Sequence, residues 1–497
     1  MSQAPAAQQL ASGSEKRRGS FRQPAALYLV STFELAERFS YFGMLAILIY
    51  YMYFPADKGG LGLEQADAAA LVGAYSGAIY LAMVLGGWVA DRIFGTANTL
   101  AIGAGIVLAG HITLAFVPGF SGLLVGMLLI AVGSGCTKAT TASLVGSFYA
   151  PGDAQRIVGF TIFYLSLNLG ALTGGIATGF LQQSFGFHAG FGAAAVGMLI
   201  GLLIYIPARS KLPAASRIVP NPATPSALLR CGGIVAVLTI ALWSGFSLGI
   251  LHLGDASTIV AVVALVSAGI YFTLMGRSKV VTATEFQSVV RYTPIFVASV
   301  MQVMLWMQLY TVVAVHAEAR TDRSFFGFDL PPSTAIASGG LFAIILTPIV
   351  NALWTKLGTR QPSIAVKYAI SLLTLGLCFI TLSVSSLVPG SLIPISLLLG
   401  VIGVFYLADL IASPAGLSYA TATAPKAFRS QMVALHSMSY AVGAALSGIF
   451  AQFYNPTGDA SAYFLMAAIV SAATAGVLML VRRIVRDGTS LDAAIPA

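Results

Sequence analysis

Stretches apolar enough and long enough to cross a bilayer recur along this chain at 25–53, 66–92, 98–118, 121–146, 156–182, 188–207, 226–250, 256–275, 290–317, 335–356, 365–385, 390–413, 428–453 and 461–482. Fourteen such stretches restrict the fold to helices packed in lipid, because every backbone N–H and C=O must find its partner inside its own segment there. Of the 497 residues 57% are hydrophobic and 9% charged, with a mean hydropathy of +0.87, outside the range of soluble globular domains. The reading is an all-α polytopic membrane protein with the lipid bilayer as its surroundings.

Charge sets the expected orientation. The polar start, with Lys16, Arg17, Arg18 and Arg22, lacks the apolar core of a signal peptide, so the first span stays uncleaved and the N-terminus is expected in the cytoplasm. Every second loop then carries the basic residues: Arg92, Arg156, Arg209, Lys211, Arg217, Arg277, Lys279, Lys356, Arg360, Lys426 and Arg429. Arg482, Arg483 and Arg486 follow the last span, while Arg320 and Arg323 are the main exceptions. This positive-inside pattern puts both termini on the cytoplasmic side of a cell (inner or plasma) membrane. The net charge of +9 is spread singly or in small groups, not along a basic arm, so it suits topology better than nucleic-acid binding. Cys136, Cys231 and Cys378 lie in apolar segments without metal-ligand spacing, and no metal or cofactor is expected.

A Pro-rich link at 212–225 and a polar link at 280–289 divide the chain into six, two and six spans. The expected organisation is a tail at 1–24, a six-helix bundle at 25–210, a linker with two additional transmembrane helices at 211–289, a second six-helix bundle at 290–484 and a tail at 485–497. Two such halves suggest a carrier whose bundles rock about a central site.

The first span holds charge where charge is expensive. A central Glu or Arg costs roughly 2.5 to 3.5 kcal/mol on insertion scales, so such residues mark sites that pair or line a path. Glu34, Glu37, Arg38 and Tyr41 stand at i, i+3, i+4 and i+7, one stripe of a helix facing one cavity. At the end of the second span, Gly86-Gly87-Trp88-Val89-Ala90-Asp91-Arg92-Ile93-Phe94-Gly95 resembles the signature loop of the major facilitator superfamily. Gly87, Asp91, Arg92 and Gly95 read there as gating or structural residues, with Asp91 either capping or bridging a neighbouring helix or simply setting topology.

Glu34-x-x-Glu37-Arg38-Phe39-x-Tyr41 narrows the match, because it resembles the first-helix hallmark of the proton-coupled oligopeptide transporter (POT/PTR) family. Phe163-Tyr164-x-x-x-Asn168-x-Gly170-Ala171 is similar to that family's fifth-helix motif, and Asp409-Leu410-x-x-Ser413-Pro414 to its Glu-Leu-x-x-Ser-Pro segment. Lys138, inside 133–146, stands where the family has its fourth-helix lysine. The resemblance spans nearly all of 25–484. It implies a major facilitator fold of fourteen helices and symport of small peptides with protons as the coupling ion.

Buried Lys138 needs an anion, either by snorkelling to the surface or by pairing with Glu34 and Glu37. Glu34, Glu37, Arg38 and Lys138 sum to zero, so a proton on either glutamate frees a cation for a substrate carboxylate. The resemblance further implies that Tyr41, Tyr80 and Asn168 line the cavity and that Asp409, a glutamate in the family, receives the peptide amino terminus. Trp306, Gln308, Tyr310 and His436 are additional candidates, His436 being either a proton site or a hydrogen-bonded core residue. Several family features are missing: Leu45 replaces an arginine, Phe42 a tyrosine, Ala139-Thr140 a Pro-Asn pair, and neither 306–313 nor Ser338-Gly339-Gly340-Leu341 holds the usual acid and asparagine. The proton machinery is therefore better preserved than the peptide clamp.

Three other classes compete. A carrier of another small solute or anion would use the same fold, as would a non-transporting nutrient receptor. Gly245-Phe246-Ser247-Leu248-Gly249, with His252 and Asp255, matches a hydrolase nucleophile motif, but it lies in an apolar span instead of a strand-turn-helix, so no catalytic residues are expected.

Overall fold

The computed structural model describes residues 23–150, 153, 155–325, 327–388, 392–455 and 459–486. The expected tails lie outside the described residues apart from 23–24 and 485–486. Each apolar stretch forms a helix: α1 (Ala25–Tyr53), α2 (Gln65–Val89), α3 (Thr96–Phe116), α4 (Gly119–Gly146), α5 (Gln155–Phe185), α6 (Phe187–Ala208), α7 (Pro225–Ser247) and α8 (Ala256–Arg277). The second half continues as α9 (Ala283–Trp306), α10 (Val312–Ala319), α11 (Pro332–Leu357), α12 (Ile364–Ser385), α13 (Ile395–Ala422), α14 (Arg429–Ala451) and α15 (Ala460–Leu480). At 29 residues α1 reaches about 43 Å, enough to cross a bilayer with its head-group regions.

The ninth apolar stretch departs from expectation at both ends. Its helix begins inside the expected polar link, because Thr282 accepts from the Glu285 backbone N–H and Glu285 returns a bond to the Thr282 backbone, a capping box. The helix then breaks. Residues Met307–Tyr310 tighten into a 3₁₀ turn, Thr311 leaves helical geometry at φ −114°, and α10 resumes at Val312. The thirteenth helix also runs past its expected end at 413, with Pro414 inside it.

The two halves pack alike. In the first, α1 lies against α5 and α6, α3 against α4 and α6, and α2 against α4; in the second, α9 lies against α14 and α15, α12 against α13 and α15, and α11 against α13. The bundles meet along two related seams, α2 with α14 and α5 with α11. A Cβ on Gly73 would fall 2.6 Å from Gly448 Cα, so the first seam depends on glycine for its closeness. At the second, Gly340 backs onto the Asn168 carbonyl and Gly179 onto the Ser333 side chain. The Gly73 and Gly179 contacts sit in the half of the molecule away from the basic loops, which defines a closed face opposite a basic face.

Helix α8 is not a bystander, since it covers the α2–α14 seam. Ser257 Oγ donates to the Ala70 carbonyl at 2.6 Å, and Gln452 Nε2 donates to the Gly254 carbonyl at 3.0 Å. Elsewhere α8 presents Val262, Val266, Ile270 and Leu274 outward, as a lipid-facing helix does.

Candidate functional site

The charged stripe of α1 is deeply buried: Glu34, Glu37 and Arg38 are 1%, 0% and 6% exposed. Small residues on α5 and α6 make that possible, with Gly170 against Arg38 Cβ and Gly201 against Ala36. Arg38 Nε donates to Glu34 Oε1 at 2.7 Å, and Arg38 Nη2 lies 2.7 Å from the same oxygen. Glu37 is held less closely. Its Oε2 is 3.3 Å from Arg38 Nε, and its Oε1 accepts from Thr137 Oγ1 at 3.4 Å.

Lys138 does not take the carboxylate partner expected for it. Its Nζ sits 4.4 Å from the Tyr41 ring centre, a cation–π contact, and among the described residues it forms no ion pair. The reason is local. Arg38 reaches both glutamates along its own helix, whereas Lys138 must cross from α4 and meets the Tyr41 ring first. Glu34 and Glu37 remain within its electrostatic reach.

Across the cavity, Asp409 Oδ1 accepts from Ser413 Oγ, one turn away on α13, and from Gln302 Nε2 on α9 at 3.3 Å. Asp409 lines a cavity of about 120 Å³ together with Tyr80, Val303, Trp306, Met307, Ser413 and Tyr440. The walls are aromatic: the Tyr80 and Tyr440 rings are 5.3 Å apart, and Trp306 lies 5.8 Å from Tyr310 and 5.7 Å from Tyr406. Tyr310 and Tyr406 share a hydroxyl bond of 3.2 Å. Phe42 reaches toward Tyr310 from α1, 6.2 Å between rings, so the aromatic wall joins the two bundles.

Other expected site residues are placed elsewhere. Gln308 is fully buried in helix packing, where its Nε2 donates to Ser447 and its Oε1 accepts from Tyr463 at 2.8 Å, which makes it the joint of the α9–α10 break. Asn168 spends its Nδ2 on the Tyr164 carbonyl at 2.9 Å beside the α5–α11 seam. His436 is a packed residue with Nδ1 2.7 Å from the Tyr292 hydroxyl and its ring 5.4 Å from Tyr440. Leu45, at 2% exposure, is part of the apolar core.

A second, larger cavity of about 430 Å³ opens toward the basic face between α2, α4, α8 and α14, lined by Gly87, Trp88, Asp91, Ser143, Tyr271 and Gln431 among others. Asp91 caps no helix and forms no ion pair among the described residues; its side chain is exposed in that cavity. The loop after it turns through a π-helical segment, Ala90–Phe94, and Gly95 takes φ +77°, the left-handed region that favours glycine. The link at 212–225 straps this loop, with Asn221 N–H donating to the Asp91 carbonyl at 3.1 Å and Ala223 N–H to that of Arg92 at 2.9 Å.

Sequence reasoning did not single out Gln302, Tyr406 and Tyr440, and named Ser413 only within the motif that carries Asp409. Ser413 carried a usable signal, standing four residues after an intramembrane acid, whereas Gln302 is distant from Asp409 in sequence. The Ser247 motif straddles the end of α7 and the turn that follows it, and among the described residues no strand adjoins it to form a nucleophile elbow; the Ser247 side chain lies outside the described residues.

The whole arrangement has relatives. A family model described as "POT family" matches residues 97–466. An uncharacterized transporter of Bacillus subtilis (strain 168) is 36% identical over 95% of this chain and 96% of its own length. A di-/tripeptide transporter of Lactococcus lactis subsp. cremoris is 35% identical over 86% of this chain and 90% of its own. Among solved structures, a peptide transporter POT in complex with sulfate superposes with a TM-score of 0.89 at 38% identity, over 95% of this chain and 97% of that one. A POT family transporter in complex with 5-aminolevulinic acid gives 0.88 at 31%, over 94% and 98%. With its seams, its buried glutamate–arginine stripe and a family match over most of its length, this chain belongs to the POT family.

Proposed function

We propose that this protein imports di- and tripeptides in symport with protons, by alternating access between a bundle at 25–210 and a bundle at 290–484. The observation that carries the reading is the separation of charge across the cavity. Arg38 and Lys138 stand on one bundle and Asp409 on the other, which matches the two ends of a zwitterion and makes substrate a bridge between the halves. Either Glu34 or Glu37 takes the proton. Its neutralisation releases a cation for the peptide carboxylate, while Asp409 receives the amino terminus and Tyr41, Tyr80, Trp306 and Tyr310 line the space between. The relatives' names as di-/tripeptide transporters support this substrate class.

The closed seams at one face and the 430 Å³ cavity at the other fit a release state. The basic face is the cytoplasmic one by the positive-inside rule, so the protein sits in the cell membrane with both termini inside. The buried apolar Leu45 favours a second reading alongside the first, in which solutes with loosely held carboxylates are carried, as 5-aminolevulinic acid, bound by a related transporter, exemplifies.

Reconstituted protein tests the peptide reading. An imposed inward proton gradient should accumulate a labelled dipeptide, and a broad dipeptide mixture should compete. Folded protein that accumulates no dipeptide under that gradient refutes peptide symport.

A further inference from the structure

Helix α8 touches both bundles, and the two contacts differ in kind. Ser257, Ala261, Ala264 and Ala268 recur at i, i+4, i+7 and i+11, one buried stripe of α8 opposite its lipid-facing side. Along the length of the helix that side meets the second bundle. Ala264, Ala268 and Met275 join a buried apolar cluster with Val289, Tyr292, Ile295 and Phe296 of α9 and with Met432 and Leu435 of α14. The Phe272 ring stands 6.1 Å from that of Phe296, and a Cβ on Gly276 would fall 2.8 Å from the Phe286 ring. Only the short segment 278–282 separates α8 from α9, so the chain itself ties α8 to that bundle.

Against the first bundle, the polar and closest contacts of α8 gather at its closed-face end. Ser257 Oγ donates to the Ala70 carbonyl of α2 at 2.6 Å, and a Cβ on Gly73 would fall 2.9 Å from that same oxygen. A Cβ on Gly77 would fall 2.8 Å from Val260 Cγ1, and one on Gly254 3.2 Å from Asp67 Oδ1. Toward the basic face the 430 Å³ cavity intervenes, with Trp88 of α2 and Tyr271 of α8 among its walls. The second bundle reaches the closed-face end too: Gln452 Nε2 donates to the Gly254 carbonyl at 3.0 Å, and a Cβ on Gly448 would fall 2.2 Å from Ser257 Oγ. Ser257 therefore stands where α2, α8 and α14 converge, and its one hydroxyl bond runs to α2.

We propose, resting on the alternating-access reading above, that α8 travels with the second bundle and that Ser257 is a releasable latch on the first. Its bond to the Ala70 carbonyl holds α2 in the closed seam and breaks each time that face opens. Between helices in lipid, close packing and interhelical hydrogen bonds supply the attraction, so the broad packed face toward α9 and α14 outlasts a contact made at one end. Release is cheap for both partners. The Ala70 carbonyl lies within α2 and keeps its helical bond, and a serine hydroxyl that lets go can turn to the carbonyl four residues back, that of Leu253. The extra helix pair is then part of the moving machinery, a clasp on the outer side of the α2–α14 seam.

Cross-linking tests which bundle α8 follows. In protein with Cys136, Cys231 and Cys378 replaced by serine, Gly254→Cys is combined either with Asp67→Cys on α2 or with Gln452→Cys after α14, and each pair is bridged by a short reducible bis-methanethiosulfonate. The same variant before bridging is the reference, so any effect of the substitutions themselves cancels. The bridge to α2 should lower proton-driven dipeptide uptake about tenfold or more, because it ties together elements that must part, and reduction should restore it. The bridge to α14 should leave uptake unchanged. Ser257→Ala, a smaller side chain in the same place, should raise the ratio of open to closed molecules about two- to tenfold by spin-label distances across the closed face, the worth of one hydrogen bond. Uptake that survives the bridge to α2, uptake lost with the bridge to α14, or an unchanged open fraction in Ser257→Ala each overturns the proposal. Wild-type protein that shows neither proton-driven uptake nor dipeptide counterflow refutes the transport reading instead.

Discussion

Arg38 holds Glu34 through two nitrogens at 2.7 Å each and Glu37 through one at 3.3 Å, so a single guanidinium serves two carboxylates unequally. That asymmetry leaves Glu37 the more loosely held of the two. A guanidinium can do this because its donors lie in a rigid planar fork, whereas an ammonium is a point charge.

Arg38→Lys should therefore keep the fold while losing the forked contact. Proton-driven dipeptide uptake is expected to fall about tenfold or more, the scale of a charge-assisted hydrogen bond lost in a buried site. Initial uptake rates in proteoliposomes check this, with size-exclusion profiles as the folding control; wild-type rates would remove the fork from the mechanism.

At the other end of the cavity, Asp409→Asn removes a negative charge while keeping a side chain that Gln302 and Ser413 can still bond. Half-saturation for a dipeptide with a free amino terminus should rise about tenfold, the equivalent of roughly 1.4 kcal/mol. An N-acetylated dipeptide should change little. Equal effects on both would place the amino terminus elsewhere.

Gly448→Val puts a side chain into the α2–α14 seam, where the Cβ alone would stand 2.2 Å from Ser257 Oγ and 3.0 Å from the Ala69 carbonyl. The closed face should then fail to seal and the population shift toward a state open on that side. Spin-label distances across that face should lengthen relative to wild type. An unchanged distribution would show that the seam relaxes elsewhere.

Gln308→Ala leaves the Tyr463 hydroxyl and the Ser447 carbonyl without their partner in the core of the second bundle. Leaving such groups unsatisfied costs about 1 to 3 kcal/mol each, so the melting temperature in detergent should drop by several degrees. A melting temperature equal to wild type would mean that Gln308 is not the joint of the α9–α10 break.

The spans were legible because lipid imposes a length and a polarity on every crossing, and the expected limits of α1 and α12 fall within one residue of those found. The break after Trp306 was not. No proline or glycine marks it, and it is held by Gln308 bonding to residues on α14 and α15 that lie far along the chain. The Glu34–Arg38 pair could be read from spacing, since four residues on one helix meet without help from the fold. The choice of Tyr41 over a carboxylate for Lys138 required the placement of α4 against α1.

The order of residues alone thus determined the crossings, the basic face, the charge stripe and the family, all of them local or compositional properties. Tertiary packing decided which seam is closed, that Gln308 is a joint and not a cavity wall, and that Gln302 reaches Asp409. These contacts join helices tens to hundreds of residues apart, and pairings at that range follow from the packing of whole faces and not from any local pattern.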